Sequence, residues 1–131
     1  MRNSGPAKKR SSGYGDTTAE RRAVEDATGA RLMRFEEVDH YNDLEELLAM
    51  LEACDLLITT SNATAHVAGA LGKRTWLLYL ADNPPFHYWA HGGSYRCLWY
   101  PSVEIVTAPQ LDDWTSLTQH AAQKLAGLVE Q

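Results

Sequence analysis

Ser61, Asn62, Ala63, Thr64 and His66 lie within six consecutive positions near the middle of the chain, and their types suit the binding of an anion. Leu56, Leu57 and Ile58 form a short apolar run, continued by Thr59 and Thr60, that predicts a buried strand. Ser61 and Asn62 break it. From Ala63 onward the small residues Ala63, Ala65, Ala68, Gly69 and Ala70 are interleaved with Thr64, His66, Val67 and Leu71, as in a compact helix. Asn62 is a good N-cap, because its side-chain oxygen can accept from an amide of the first turn. The other amides there, at the positive end of the helix dipole, attract phosphate or carboxylate. The hydroxyls of Ser61 and Thr64 could bond the same oxygens, and His66, the fourth helical residue, can lean back over the opening.

The elements that must hold this turn follow from the flanking sequence. Gly72 stands where a C-terminal glycine belongs, and residues 75–80 predict a second strand, so the region is a strand, tight turn, small-residue helix and strand. That unit builds parallel sheets. Upstream, Thr17 or Thr18 starts a helix to about Ala27, with Ala19, Ala23, Val24 and Ala27 inward and Gly29 as the stop. Residues 31–35 alternate and predict a short strand. Asn42 and Glu45 have capping-box spacing, and Leu44, Leu47, Leu48 and Leu51 recur at the helical period. Downstream, residues 103–107 predict a strand. Asp112 or Asp113 then caps a final helix whose apolar face carries Trp114, Leu117, Ala121, Leu125 and Leu128. The expected fold is α/β, a Rossmann-like three-layer domain with a small, mainly parallel sheet, whose ligands bind beyond the carboxyl ends of the strands.

Between the last two strands, residues 81–101 carry Asp82, Asn83, Pro84, Pro85, Gly92 and Gly93 and predict a long loop. Seven of the twelve aromatic residues fall between Tyr79 and Tyr100. A loop of this length in a small domain is either functional or pinned by a core of its own. Asp82, His87 and Trp89 are its candidate ligand contacts, while Trp99 and Tyr100 are assigned to packing.

The 131 residues suffice for one ordinary domain. Residues 1–13 form a basic, Ser- and Gly-rich tail expected to be disordered, and residues 14–131 form the domain. The tail holds four of the twelve Lys and Arg residues and no acid, leaving eight basic residues against seventeen acidic ones. So acidic a body repels a nucleic-acid backbone, and no nucleic-acid partner is expected. No apolar run is long enough for a membrane span or a signal peptide. Two cysteines, Cys54 and Cys97, indicate no disulfide framework, and a cytoplasmic setting is the default.

The run DLLITTSNATAHVAGALGKRTWLL, with CLWYPSVEIV and then DDW before the last helix, resembles the C-terminal half of bacterial GT-B-type glycosyltransferase domains. These are often fused to tetratricopeptide repeats and distantly related to lipopolysaccharide heptosyltransferases. The resemblance covers residues 14 to 128 and is most specific from Asn62 to Trp76. It implies two facing Rossmann-like halves, with a nucleotide-sugar donor mainly on the C-terminal one and the acceptor on the other. Ser61, Asn62, Ala63 and Thr64 would then approach the donor diphosphate, and His66 matches the histidine of the family's Ala-His pair. The family's commoner turn is Asp-Thr followed by a small residue; here it is Ser-Asn.

In an inverting transfer the leaving diphosphate gains negative charge, which preorganised amides or a cationic histidine stabilise. The general base that the acceptor hydroxyl needs belongs, in the relatives, to the N-terminal half. Catalysis by the isolated monomer is therefore not expected, and the partners implied are a nucleotide sugar, a complementary N-terminal half or a second copy. No cofactor is implied, the nucleotide-diphosphate sugar being a substrate. The competing expectation is a noncatalytic interaction or homodimerisation domain that presents the aromatic loop.

Other constellations are weaker. His87, His91 and Cys97 have a spacing that zinc accepts only on a shared helical face, which the local prolines and glycines oppose, so no metal site is assigned. Asp39, Asp43 and Asp55 are explained as a loop acid, a helix-start charge and a strand-edge residue. Ser61 with His66 lacks the Gly-x-Ser-x-Gly elbow of a hydrolase.

Overall fold

Parallel strands buried on both faces need near-continuous apolar sequence, and the central strand has it. In the computed structural model, which describes residues 17–35, 37–39, 42–80, 87–89, 96–108 and 113–131, the chain is α/β. Its described elements are four helices, α1 (Thr18–Thr28), α2 (Leu44–Ala53), α3 (Ala63–Ala70) and α4 (Trp114–Val129), a three-residue 3₁₀ turn (His87–Trp89), and three strands, β1 (Leu57–Thr59), β2 (Thr75–Leu78) and β3 (Val103–Val106). The strands form one parallel sheet in the order β1-β2-β3, with Leu57 opposite Thr75 and Thr75 opposite Val103. Each strand is slightly shorter than its sequence expectation. The pairing nevertheless runs past β2, since the Tyr79 N–H reaches the Val106 carbonyl at 3.0 Å.

The chain divides into two units, Met1–Leu47 and Leu48–Gln131. The sheet belongs to the second. The strand period of two separates its side chains into two clusters. Leu77, Val103 and Ile105 join Ala65 of α3 with Trp89 and Cys97, while Trp76 and Val106 join Leu117 of α4. Helices thus cover both faces of a parallel sheet, an arrangement compatible with a Rossmann-like fold.

Caps fix the helix ends. Asp113, the N-cap of α4, accepts from Ser116 N–H at 2.8 Å. Helix α3 ends in a Schellman arrangement, with Gly72 N–H on Gly69 O and Lys73 N–H on Ala68 O. Gly72 has φ of 71°, in the left-handed region that a side chain opposes. Lys73 Nζ donates to the carbonyls of Glu52 and Cys54, placing a cation on the C-terminal carbonyls of α2.

Several expectations are corrected. Residues 31–35 form no strand. All five are exposed, and Leu32 N–H goes to the Glu25 carboxylate at 2.7 Å instead of a sheet partner. Helix α1 ends at Gly29 as expected, with φ of 70°, but buries no residue, so Ala19, Ala23, Val24 and Ala27 form no inner face. At α2 the cap is Asp43 rather than Asn42. Asp43 Oδ1 accepts from Glu46 N–H, while Glu46 Oε2 accepts from Asp39 N–H. Leu47 and Leu51 are buried there, but Leu44 is exposed. On α4 Leu117 and Ala121 are buried, whereas Trp114 and Leu125 are exposed. The tail at 1–13 lies outside the described residues, as does Asp112. Among the described residues no helix is long and apolar enough to cross a membrane.

Candidate functional site

The turn after β1 is built by one amide side chain. Asn62 is extended, at φ −160° and ψ 176°; its Oδ1 accepts from Ala65 N–H at 3.0 Å and its Nδ2 donates to Thr59 Oγ1 at 2.8 Å. This single residue therefore ties the end of β1 to the start of α3. Among the described residues, the N–H groups of Ala63 and Thr64 make no hydrogen bond. Ser61 and Ala63 are exposed, and Thr64 is half-buried. Ser61, Asn62, Ala63 and Thr64 are thus brought together at one corner, with two amides still able to donate.

His66 is packed among aromatic rings. Its ring stacks on Trp89 with centroids 4.5 Å apart and planes 23° from parallel, and it meets Tyr88 and Tyr100 edge-on at 4.9 and 5.7 Å. Its Nδ1 lies 3.2 Å from the Tyr100 hydroxyl. The imidazole forms one wall of an aromatic cluster. Tyr100 fits there because Gly69 lacks a side chain. A Cβ at Gly69 would stand 2.6 Å from Tyr100 Cγ, closer than packed carbons approach.

Trp89, a candidate ligand contact by sequence, has no exposed surface and belongs to the core. Its indole N–H donates to Ser61 Oγ at 2.9 Å. A buried indole needs an acceptor, and here the acceptor is the turn itself. His87 is exposed; its carbonyl accepts from Trp99 Nε1, and its ring meets Tyr88 at 5.1 Å. Asp82 lies outside the described residues. Tyr100 packs against the core as expected, but Trp99 does not.

Beside the turn is an open depression of about 180 Å³, lined by Thr60, Ser61, Leu78, Tyr79, Leu80 and Trp114. It lies where the carboxyl ends of β1 and β2 meet the first residue of α4. Thr60, Tyr79 and Trp114 were not singled out as site residues from sequence. The signal that could find Trp114 is its position directly after the Asp113 cap, which starts α4 near the strand ends. Hydrogen bonds from Ser116, first from its backbone N–H and then from its hydroxyl, hold the Asp113 carboxyl below its ordinary pKa.

Among the described residues, no group of three or more His, Cys, Asp and Glu side chains is placed to hold a metal ion. Cys97 is buried with its thiol on the Tyr88 carbonyl; His91 lies outside the described residues. Asp43 caps α2, and Asp39 binds both the backbone and the side-chain amide of Asn42.

No protein-family model matches the chain, and no solved structure matches it. Over 101 residues it is 33% identical to Protein FlbA of Caulobacter vibrioides. The matched stretch is 77% of this chain and 16% of that relative, so the chain spans only a small part of the protein it resembles.

Proposed function

We propose that the chain is the nucleotide-sugar-binding half of a GT-B-type glycosyltransferase, completed by an N-terminal acceptor half on another segment or chain. The observation that carries this reading is the open depression at the carboxyl ends of β1 and β2, directly beside the Ser61-Asn62 turn with its two amides able to donate. Ligands of open α/β sheets bind at that edge.

In this reading the donor diphosphate accepts from the N–H groups of Ala63 and Thr64 at the positive end of α3. Ser61 Oγ already accepts from Trp89, which leaves its own proton to donate to a phosphate oxygen. Leu78, Leu80 and Trp114 offer an apolar wall to the base or the sugar. As the glycosidic bond breaks, the charge gathering on the leaving diphosphate falls on donors already in position. His66 acts through Trp89 and Tyr100 as a positioning residue. The acceptor and its general base are supplied by the other half.

Titration of the full chain with UDP, GDP and ADP, followed by amide chemical shifts, tests the proposal. Saturable shifts at residues 60–66 and near Trp114 are expected with at least one of the three. Their absence with all three removes the donor site.

A second reading, a noncatalytic interaction or homodimerisation domain, rests on Leu98 and Trp99, which are 64% and 67% exposed side by side. Exposed apolar neighbours mark contact surfaces. A concentration-dependent dimer that Trp99→Ser abolishes, with no nucleotide binding, is its signature.

A further inference from the structure

We propose that the carboxyl edge of the sheet is completed by a basic side chain of the acceptor half, which reaches the donor's distal phosphoryl group and brings the positive charge that this edge lacks. The inference rests on the donor reading above and adds to it the chemistry of the partner's surface.

The unit Leu48–Gln131 has four Lys and Arg residues, Lys73, Arg74, Arg96 and Lys124. Lys73 and Arg74 directly precede β2. Lys73 Nζ donates to the carbonyls of Glu52 and Cys54, upstream of β1, and the Arg74 carbonyl accepts from the N–H of Leu57, the first residue of β1. Arg96 bridges to Glu104, the second residue of β3, and its Nη1 donates to the carbonyl of Pro101, ahead of that strand. Lys124 Nζ lies 2.8 Å from Glu104 Oε1 and 5.0 Å from the centre of the ring of Trp76, the second residue of β2. All four cations therefore stand at the amino ends of the strands or beside their first halves.

The opposite end has none. Stretches 55–72, 75–95 and 97–123 hold no Lys or Arg, so the turn after β1, helix α3, and the residues that follow β2 as far as Tyr95 and β3 as far as Gln123 offer no such charge. Among the described residues that line the depression, from Thr60 and Ser61 to Trp114, none is charged. The acid Asp113 caps α4 directly before Trp114. His66, the nearest histidine in sequence, has its ring stacked on Trp89 and its Nδ1 at 3.2 Å from the Tyr100 hydroxyl. In the unit as a whole, four bases stand against seven acids.

Two amides and one hydroxyl match the oxygens of a single phosphoryl group. A second phosphoryl group adds negative charge that no cation at this edge answers, within the field of an acidic unit that repels it. Transfer deepens the shortfall, because the charge on the leaving diphosphate grows as the glycosidic bond breaks. A guanidinium or ammonium group is the side chain suited to that charge. The surface that closes over the depression is thus one that presents such a group, complementary in charge to an edge without one.

The test compares UMP with UDP, GMP with GDP and AMP with ADP on the full chain, through the amide shifts of residues 60–66. It is run at pH about 8, above the ordinary histidine range, with a chelator to keep divalent cations off the nucleotides. For the best-bound base, monophosphate and diphosphate should bind within about threefold of each other, whereas one cation on the distal phosphoryl group would separate them about tenfold or more. Raising sodium chloride from about 0.01 to about 0.1 M shortens the Debye length from about 30 to about 10 Å. Diphosphate affinity should stay level or rise, because the salt screens a repulsion. Thr60→Lys, at an exposed position on the rim of the depression, puts an ammonium group in the partner's stead and should favour the diphosphate about tenfold over the monophosphate. A native chain that prefers the diphosphate tenfold, with an affinity that falls as salt rises, supplies its own cation, from residues 1–47 included, and overturns the proposal. A Thr60→Lys protein without the preference overturns it too. Absence of binding by all six nucleotides is a different result, which removes the donor site itself and the partner's cation with it.

Discussion

The indole N–H of Trp89 donates to the hydroxyl of Ser61 across 2.9 Å, joining a side chain with no exposed surface to the turn that ends β1. The turn is therefore fixed from two sides, by the Asn62 cap along the chain and by the aromatic cluster across it. Ser61→Ala leaves the buried indole without its acceptor and should cost about 1–3 kcal/mol. Trp89→Phe removes donor and volume together. In the double variant the Ser61 substitution should cost less than alone, by about 1 kcal/mol of coupling. Urea unfolding of the four proteins measures that difference, and additive losses would show that the bond contributes nothing.

His66 separates a phosphate ligand from a packing residue. Its ring lies against Trp89, Tyr88 and Tyr100, so His66→Ala should lower stability by at least about 1 kcal/mol whether or not nucleotide is present. His66→Phe keeps a ring in the stack and removes both nitrogens. It should retain most of the stability and all of the affinity for the best of the three nucleotides. A loss of affinity in His66→Phe with unchanged stability would return the imidazole to the ligand.

Gly69 is set by its neighbour rather than by its backbone. An alanine there gains about 1 kcal/mol of helix propensity, yet its Cβ would sit 2.6 and 2.7 Å from two atoms of the Tyr100 ring. Overpacking of that kind costs about 1–3 kcal/mol, so Gly69→Ala should destabilise. In a Tyr100→Ala background the same change should stabilise. Thermal unfolding of the pair shows whether the sign reverses.

The sheet, α3 and α4 were legible because each is punctuated by local chemistry: Asn62 and Asp113 as caps, Gly72 as the stop, and an apolar central strand. The misreadings have equally local causes. Alternation at residues 31–35 gives a strand two faces but no partner, and these residues gave a hydrogen bond to Glu25 instead. Alanines at 19, 23 and 27 mark a stripe too small to demand burial. At α2, Asn42 and Asp43 are both capable caps and Glu45 and Glu46 both capable replies, so spacing alone left the register open by one. The turn at Ser61 was visible in sequence, but what closes on it was not. Trp89 and Tyr100 reach Ser61 and His66 from 28 and 34 residues away, and no periodicity encodes such contacts.

Acid should weaken α4 through Asp113. Its folded pKa is lowered from the ordinary 3.8 by hydrogen bonds from Ser116, so the charged form is favoured in the folded state. The stabilisation is fully present above the unfolded value and is lost as pH falls through the lower folded one. Asp113→Asn keeps a capping oxygen without a charge. Its melting temperature should fall less than the native protein's between neutral pH and the acid side of that range. Parallel curves would remove Asp113 from the acid response.

The donor site is best tested by deleting an amide without touching a side chain that packs. Ala63 is the first residue of α3, the one helical position where proline is well tolerated, since its N–H has no partner in the helix. Proline also requires an extended residue before it, and Asn62 already has φ −160° and ψ 176°. Ala63→Pro should therefore fold with a melting temperature near that of the native chain. If the Ala63 N–H meets a phosphate oxygen, the same variant should bind the best of the three nucleotides about tenfold more weakly, the effect of one hydrogen bond to a charged group. Thr64→Val, which keeps the amide and loses only the hydroxyl, should weaken it less. Unchanged nucleotide affinity in a well-folded Ala63→Pro protein would mean that the start of α3 takes no part in binding.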